Sequence, residues 1–434
     1  MADLSYVRTE MLAERAPPAT SVGFVGWARA NLFSGPFNSI LTIISLLFIF
    51  MVLKGLLPWV FSPTWSATSL AECREILHEM GREGHFSGAC WGVIRERWVQ
   101  LFFGFYPTEH YWRPIVVFIL LFVALAPVLF AERVPKKLIW FSAVYPFLMI
   151  WMLWGGAIWS PLAAMAGFVI AYYVYKAVSV AASEVLGLIA SVAAAIIWWL
   201  FLMGPVVSGL SSILPIGLEA VNSRNFGGFL LSITIGVIAI GFSLPIGIVL
   251  ALGRQSDLPL VKYICVGFIE FIRGVPLITL LFVASTLLNI FLPPGTNFDI
   301  ILRVIIMATL FSAAYMAETI RGGLAALPKG QYEGADSLGL NYWQSQRLII
   351  MPQALKISIP GIVGNFIGLF KDTVLVSIIG LLDPLGLSTA IRADAAWNGI
   401  VWELYGFIAL IFFIFCFGMS RYSMYLERKL KTSH

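Results

Sequence analysis

Long stretches of this chain carry no charged side chain, and that restricts its fold more than any single motif. Leu138 to Tyr175 has none, which leaves room for two membrane crossings at roughly 20 residues each. Val185–Leu218, Asn225–Gly253, Gly274–Phe298 and Leu404–Ser420 are uncharged runs of the same kind. Backbone groups in hydrocarbon have no water to bond, so such segments must be helices that satisfy themselves. With 59% hydrophobic and 12% charged residues over 434 positions, an ordinary soluble domain is excluded. The expected fold class is an all-α polytopic membrane protein with about ten transmembrane helices.

The expected spans are 38–60, 114–131, 138–156, 157–175, 185–204, 226–252, 268–292, 299–320, 358–384 and 402–420. Orientation follows from short basic loops, which stay in the cytoplasm. Arg133, Lys136 and Lys137 follow the second span, and Arg254 and Lys262 the sixth. Arg321 to Lys356 follows the eighth, and Arg421, Arg428, Lys429 and Lys431 follow the tenth. Starting inside, ten crossings put every one of these loops and both termini in the cytoplasm. Arg8, Arg15 and Arg29 precede any sustained apolar core, so no cleavable signal peptide is expected. A net charge of +5 beside membrane segments leaves no soluble basic face for a nucleic acid. Fifteen Trp and 14 Tyr suit rings settled at headgroup depth.

Segment 62–113 then lies outside. Cys73 and Cys90 both fall in it, whereas Cys265 and Cys416 sit in or near spans. An oxidising exterior allows a Cys73–Cys90 disulfide, with two free thiols as the alternative. His78, His85 and His110 share the segment, but their spacing matches no zinc pattern. No metal site is expected.

Between Glu333 and Pro352 the chain reads EGADSLGLNYWQSQRLIIMP, a polar interval between apolar spans. Pro328 ends the preceding element, and Gln331 to Leu338 has room for two helical turns. Gly339 stands where a left-handed stop is wanted. Asn341 and Gln344 have capping-box spacing for a second short helix, which Pro352 is expected to stop. Glu333, Ala335, Gly339, Ile349 and Pro352 fall at the offsets of E-A-A-x-x-x-G-x9-I-x-L-P, with Gly334 and Met351 as departures. That pattern resembles the cytoplasmic coupling loop of permease subunits of ATP-binding-cassette (ABC) importers.

FIRGVPL (Phe271 to Leu277), AAYMAETIRGGL (Ala313 to Leu324), ALPKGQYEGADSLGL (Ala326 to Leu340) and FKDTVLVSIIG (Phe370 to Gly380) narrow the resemblance to the polar amino-acid branch of the histidine and glutamine type. Val374 departs from the family's usual Ser. The length resembles the larger permease subunit of general L-amino-acid or glutamate/glutamine/aspartate/asparagine systems of Gram-negative bacteria. The resemblance divides the chain into a cytoplasmic segment 1–37, an N-terminal extension 38–220 and a type I permease core 221–434 with coupling loop 322–356.

The resemblance implies a machine in the bacterial inner membrane. Two permease subunits, the second a distinct homologous chain, pair around a path. ATPase subunits bind beneath, and a periplasmic amino-acid-binding protein delivers substrate above. The chain has no G-x-x-x-x-G-K-[ST] loop, so ATP and Mg are expected on the partner ATPase, with no cofactor or catalysis here. Glu333, Gly334, Ala335, Gly339, Ile349 and Pro352 are the expected ATPase-coupling residues.

Ionisable groups inside spans read as functional. Lys371 and Asp372 interrupt an uncharged stretch from Ile357 to Leu382. With Glu318, Asn365, Thr373 and Arg273 they are the candidates for a substrate path or gate. Glu318 or Asp372 can accept an ammonium, and Lys371 can meet a carboxylate. The alternatives stay open: Lys371 and Asp372 as packing or gate charges, and Glu318 as a partner for Arg321 one turn away. A secondary transporter or channel would need paired broken helices in matching halves, and no internal repeat is evident.

Overall fold

The computed structural model describes residues 23–82, 88–287 and 299–430. They fall into two compact units, the first ending at Gly92 and the second beginning at Val93. Arg8 and Arg15, like His85, lie outside the described residues.

The first unit holds α1 (Gly23–Asn31), α2 (Pro36–Val60) and α3 (Leu70–Glu79). No residue of α2 is buried within the protein. It is apolar all round, so lipid is its solvent. Ser69 caps α3 by accepting from Glu72 N at 3.2 Å, and the Glu72 carboxylate accepts from Thr68 N at 2.7 Å. Cys73 of α3 is disulfide-bonded to Cys90, with Cα atoms 5.8 Å apart, within the span of such a bond. Trp91 donates to Val60 O at 2.6 Å and stacks on Trp65, so this segment packs back on the end of α2. Among the described residues no three His, Cys, Asp or Glu side chains gather as a metal site.

The second unit opens with α4 (Gly92–Phe103), α5 (Trp112–Leu129), α6 (Ile139–Trp154), α7 (Trp159–Ala181), α8 (Glu184–Ile197) and α9 (Met203–Ile213). A π turn, Trp198–Leu202, joins α8 to α9, so the expected span 185–204 extends over Glu184–Ile213. Two-residue strands β1 (Gly156–Ala157) and β2 (Gly217–Leu218) pair antiparallel. Then come α10 (Gly228–Arg254), α11 (Pro259–Gly274), α12 (Leu277–Phe282), α13 (Ile300–Ala325), α14 (Lys329–Ser337), α15 (Tyr342–Ser345), α16 (Met351–Asp372), α17 (Pro384–Arg392) and α18 (Trp402–Leu430). Residues 93–220 belong to the same compact unit as the C-terminal core.

Helices α10, α13 and α16 form the centre of this unit. Leu230, Leu231, Ile235 and Ile238 of α10 are buried against Ile301, Val304 and Ile305 of α13. At Gly323 the crossing of α13 over α16 is close: an added Cβ would lie 2.5 Å from Ala354 O. Fully buried Asp383 caps α17, accepting from Leu385 N at 3.1 Å and Gly386 N at 2.9 Å.

Two expectations are corrected. The expected straight span 268–292 is broken, because α11 and the helix beginning at Leu277 meet at 103°. Pro276 disfavours helical conformation in the residue before it, and Val275 is extended at φ −112°, ψ 131°. The end of that expected span, from residue 288, lies outside the described residues. Pro352 also does not stop a helix. A π turn, Gln346–Ile350, carries α15 directly into α16, and Pro352 sits in the first turn of α16, where a missing N–H is tolerated.

Nine helices are long and apolar enough to cross a membrane among the described residues, or ten if the bent pair counts as one. Contacts at one end of the unit favour ten. Trp154 donates to Ser223 Oγ at 2.6 Å, and Ser223 Oγ in turn bonds Asp299, the cap of α13. Gly228 N donates to Leu382 O at 2.8 Å. The starts of α10 and α13 therefore share one end, while α10 ends ~40 Å away at 1.5 Å per residue. The bent pair carries the chain back.

Candidate functional site

The segment 328–352 is a compact knob whose parts follow from local chemistry. Pro328 precedes α14 in extended conformation. The helix ends in a Schellman motif, with Gly339 N donating to Asp336 O at 2.9 Å and Leu340 N to Ala335 O at 3.4 Å. Gly339 has φ +68°, a conformation that costs any residue with a Cβ roughly 1–2 kcal/mol. Asn341 then opens α15 with a complete capping box: Gln344 N donates to Asn341 Oδ1 at 2.9 Å, and Asn341 N to Gln344 Oε1 at 3.0 Å.

The knob is fastened to the core. Ala335 is fully buried, and Tyr332, Ile349 and Met351 pack on Ile320, Leu324, Ile350 and Ala354. Burial pushes the Tyr332 phenol pKa up from its ordinary value. Gln353 Nε2 donates to Gln331 Oε1 at 2.8 Å, tying α16 back to α14. Gly334 faces open space, so the departure from Ala at that offset changes no packing. Glu333 is exposed, and elsewhere on the knob Leu338, Trp343 and Leu348 are 73%, 64% and 63% exposed.

The path candidates separate into two places. Glu318 joins a charge cluster that links α10, α11 and α13. Arg321 donates to Glu318 Oε1 through Nε at 2.9 Å and Nη2 at 2.6 Å, so one charged oxygen accepts twice from the same guanidinium. Arg254 reaches Glu318 Oε2 at 3.4 Å and Glu270 at 2.8 Å, and Arg273 lies 3.7 Å from Glu318 Oε2. The Arg273 guanidinium also stands 5.6 Å from the Tyr315 ring centre, in cation–π range. One turn on, Asn365 Nδ2 donates to Thr319 Oγ1 at 2.9 Å, and Ser358 to Thr319 O at 3.2 Å, so α13 and α16 are bonded side by side.

Asp372 and Thr373 are elsewhere. They line a small cavity of ≈ 10 Å³ with Ile235, Leu277, Leu281, Val304, Ala308, Leu369 and Val376. That is about the room one water needs. Thr373 donates to Phe370 O at 2.7 Å, and Lys371 is exposed. Glu318 and Arg273 thus meet, Asn365 is adjacent through α13, and Lys371, Asp372 and Thr373 form a second locus. Sequence reading missed Arg254 and Glu270 as members of the cluster. A signal existed in the basic last turn of α10 and the amphipathic pattern of α11, but nothing in it gave the pairing.

Comparison with known proteins agrees with this geometry. Residues 243–432 match the family model of the binding-protein-dependent transport system inner membrane component. The chain belongs to the permease subunits of ABC importers, in the polar amino-acid group. It is 58% identical, over the whole of both chains, to the glutamate/glutamine/aspartate/asparagine transport system permease protein BztC of Rhodobacter capsulatus. It is 38% identical to the inner membrane amino-acid ABC transporter permease protein YhdY of Escherichia coli K12, over 94% of this chain and 93% of that one. The shorter probable glutamine permease GlnM of Bacillus subtilis is 30% identical over 49% of this chain and 95% of its own.

Proposed function

We propose that this chain lines half of a path that carries acidic amino acids and their amides from periplasm to cytoplasm, driven by ATP hydrolysed on partner subunits. The observation that carries the reading is the knob at residues 328–352: capped at its bend, bonded to α16, packed on α13, and exposing Glu333, Leu338, Trp343 and Leu348. A load applied there is delivered to the two helices that bear the path candidates, because Gln353, Ile349 and Tyr332 fasten the knob to them. Exposed apolar side chains on a knob that also carries a carboxylate suit an ATPase subunit, on which ATP and Mg reside. The substrate class rests on the relative that matches from end to end. Both termini face the cytoplasm in this reading. A periplasmic amino-acid-binding protein docks opposite the knob, and a distinct permease chain supplies the other half.

Within the path, the Glu318 cluster acts as a gate that locks α10, α11 and α13. Its carboxylate is already filled by Arg321 and Arg254, which leaves little for an ammonium. Asp372, at an apolar cavity, is the better acceptor for substrate. The coupling reading is tested by Glu333→Lys and Gly339→Val in vesicles that hold the partner subunits. Both variants are expected to insert normally yet lose uptake and the ATPase stimulation by loaded binding protein. Wild-type uptake in both would remove the coupling role.

A further inference from the structure

We propose that the turn between α5 and α6, together with the last turns of α18, forms a binding site for the phosphate headgroup of an anionic phospholipid, in the leaflet on the knob side. Two segments far apart in sequence meet here. Tyr422 donates to Leu129 O, Phe130 packs edge-on against Tyr422 at 6.0 Å, and Lys429 pairs with Glu132. The side follows from α18 itself, which starts just after α17. At 1.5 Å per residue its 29 residues run ~43 Å, away from the end that holds Leu382 and Gly228.

The two meeting segments carry Arg133, Lys136, Lys137, Arg421, Arg428 and Lys429 against two carboxylates, Glu132 and Glu427. All six basic residues are exposed. Arg133, Lys136, Lys137 and Arg421 make no ion pair or side-chain hydrogen bond among the described residues. Lys429, by contrast, is committed to Glu132. An unneutralised surplus at the end of two spans is where anionic headgroups are drawn. Trp140, 74% exposed three residues after Lys137, and Phe130, 43% exposed, supply rings at headgroup depth. A free phosphate would satisfy the cations but leave the exposed Trp140 ring unused, whereas a phospholipid engages both.

The test uses the full chain purified in neutral detergent, with bound phosphatidylglycerol measured by native mass spectrometry and phosphatidylcholine as the uncharged-headgroup comparison. Wild type is expected to retain phosphatidylglycerol selectively. Arg133→Gln/Lys136→Gln/Lys137→Gln should weaken it roughly a hundredfold, at about fivefold per basic residue. Arg421→Gln, on the other segment, should cost about fivefold by itself, and it keeps the test valid if the triple variant misfolds. Lys136→Arg/Lys137→Arg should retain binding. Unchanged retention in Arg421→Gln and the triple variant would overturn the site. Displacement of the lipid by equimolar inorganic phosphate would also overturn it, as a site for a small anion instead.

Discussion

Glu318 and Asp372 are both carboxylates within membrane spans, but their surroundings ask different things of them. Three guanidinium groups approach Glu318, whereas Asp372 sits at an apolar cavity with Lys371 next in sequence. Glu318→Gln keeps the shape and removes the charge that holds Arg254, Arg273 and Arg321 together. The side chains are partly exposed, at 24–39%, so the stability cost should be about 1–3 kcal/mol, short of that for a fully buried pair. On the proposed gate role its loss should lower uptake of every transported amino acid by one common factor. Asp372→Asn should instead change the ratios among acidic, neutral and basic amino acids. Uptake ratios measured for both variants decide the matter: altered ratios in Glu318→Gln, or constant ratios in Asp372→Asn, would reverse the assignment.

Helix α17 illustrates how an element can carry its own pH dependence. The membrane-crossing stretch expected over 358–384 instead runs Tyr342–Ile379, so the cap Asp383 is fully buried beyond its end. Desolvation raises the Asp383 pKa from 3.8 to about 6 against the pull of two backbone N–H groups. The folded state therefore holds this proton more tightly than the unfolded chain does. The stabilising term is fully present below about pH 4 and is lost as pH rises through about 6. It amounts to ~3 kcal/mol. Asn caps about as well as Asp, so Asp383→Asn should melt with that part of the pH slope removed. Equal slopes for the two proteins between pH 4 and pH 6 would refute it.

The same scale shows what was legible in the sequence. The glycine bend and the capping box of the knob could be read because both are local, set by residues within a few positions of one another. Pro352 misled for the complementary reason: a π turn upstream supplies the accommodation, and nothing in the local residues demands one. The break after Gly274 was hidden by hydrophobic continuity, although Pro276 was its cause. Pairings such as Arg254–Glu318 and Trp154–Ser223–Asp299 depend on how distant helices pack, which composition and periodicity do not encode.

For the whole molecule, sidedness ties the exterior segment, the knob and the basic loops into one scheme. The contacts at Ser223, Asp299 and Leu382 require an odd number of crossings between α10 and α13, and the bent pair supplies one. In the proposed topology, counted from the basic loops, Cys73 and Cys90 fall on the periplasmic side, in a compartment where a disulfide persists. Closing a loop across 17 positions removes about 3 kcal/mol of chain entropy from the unfolded segment, so the bond also steadies the fold around α3. In a chain lacking Cys265 and Cys416, a membrane-impermeant thiol reagent added from outside should label Cys73 and Cys90 only after reduction. Labelling without reduction would remove the bond and leave the sidedness intact. Labelling solely from the cytoplasmic face would invert the scheme, and with it the direction in which the knob, the gate and the lipid site are oriented.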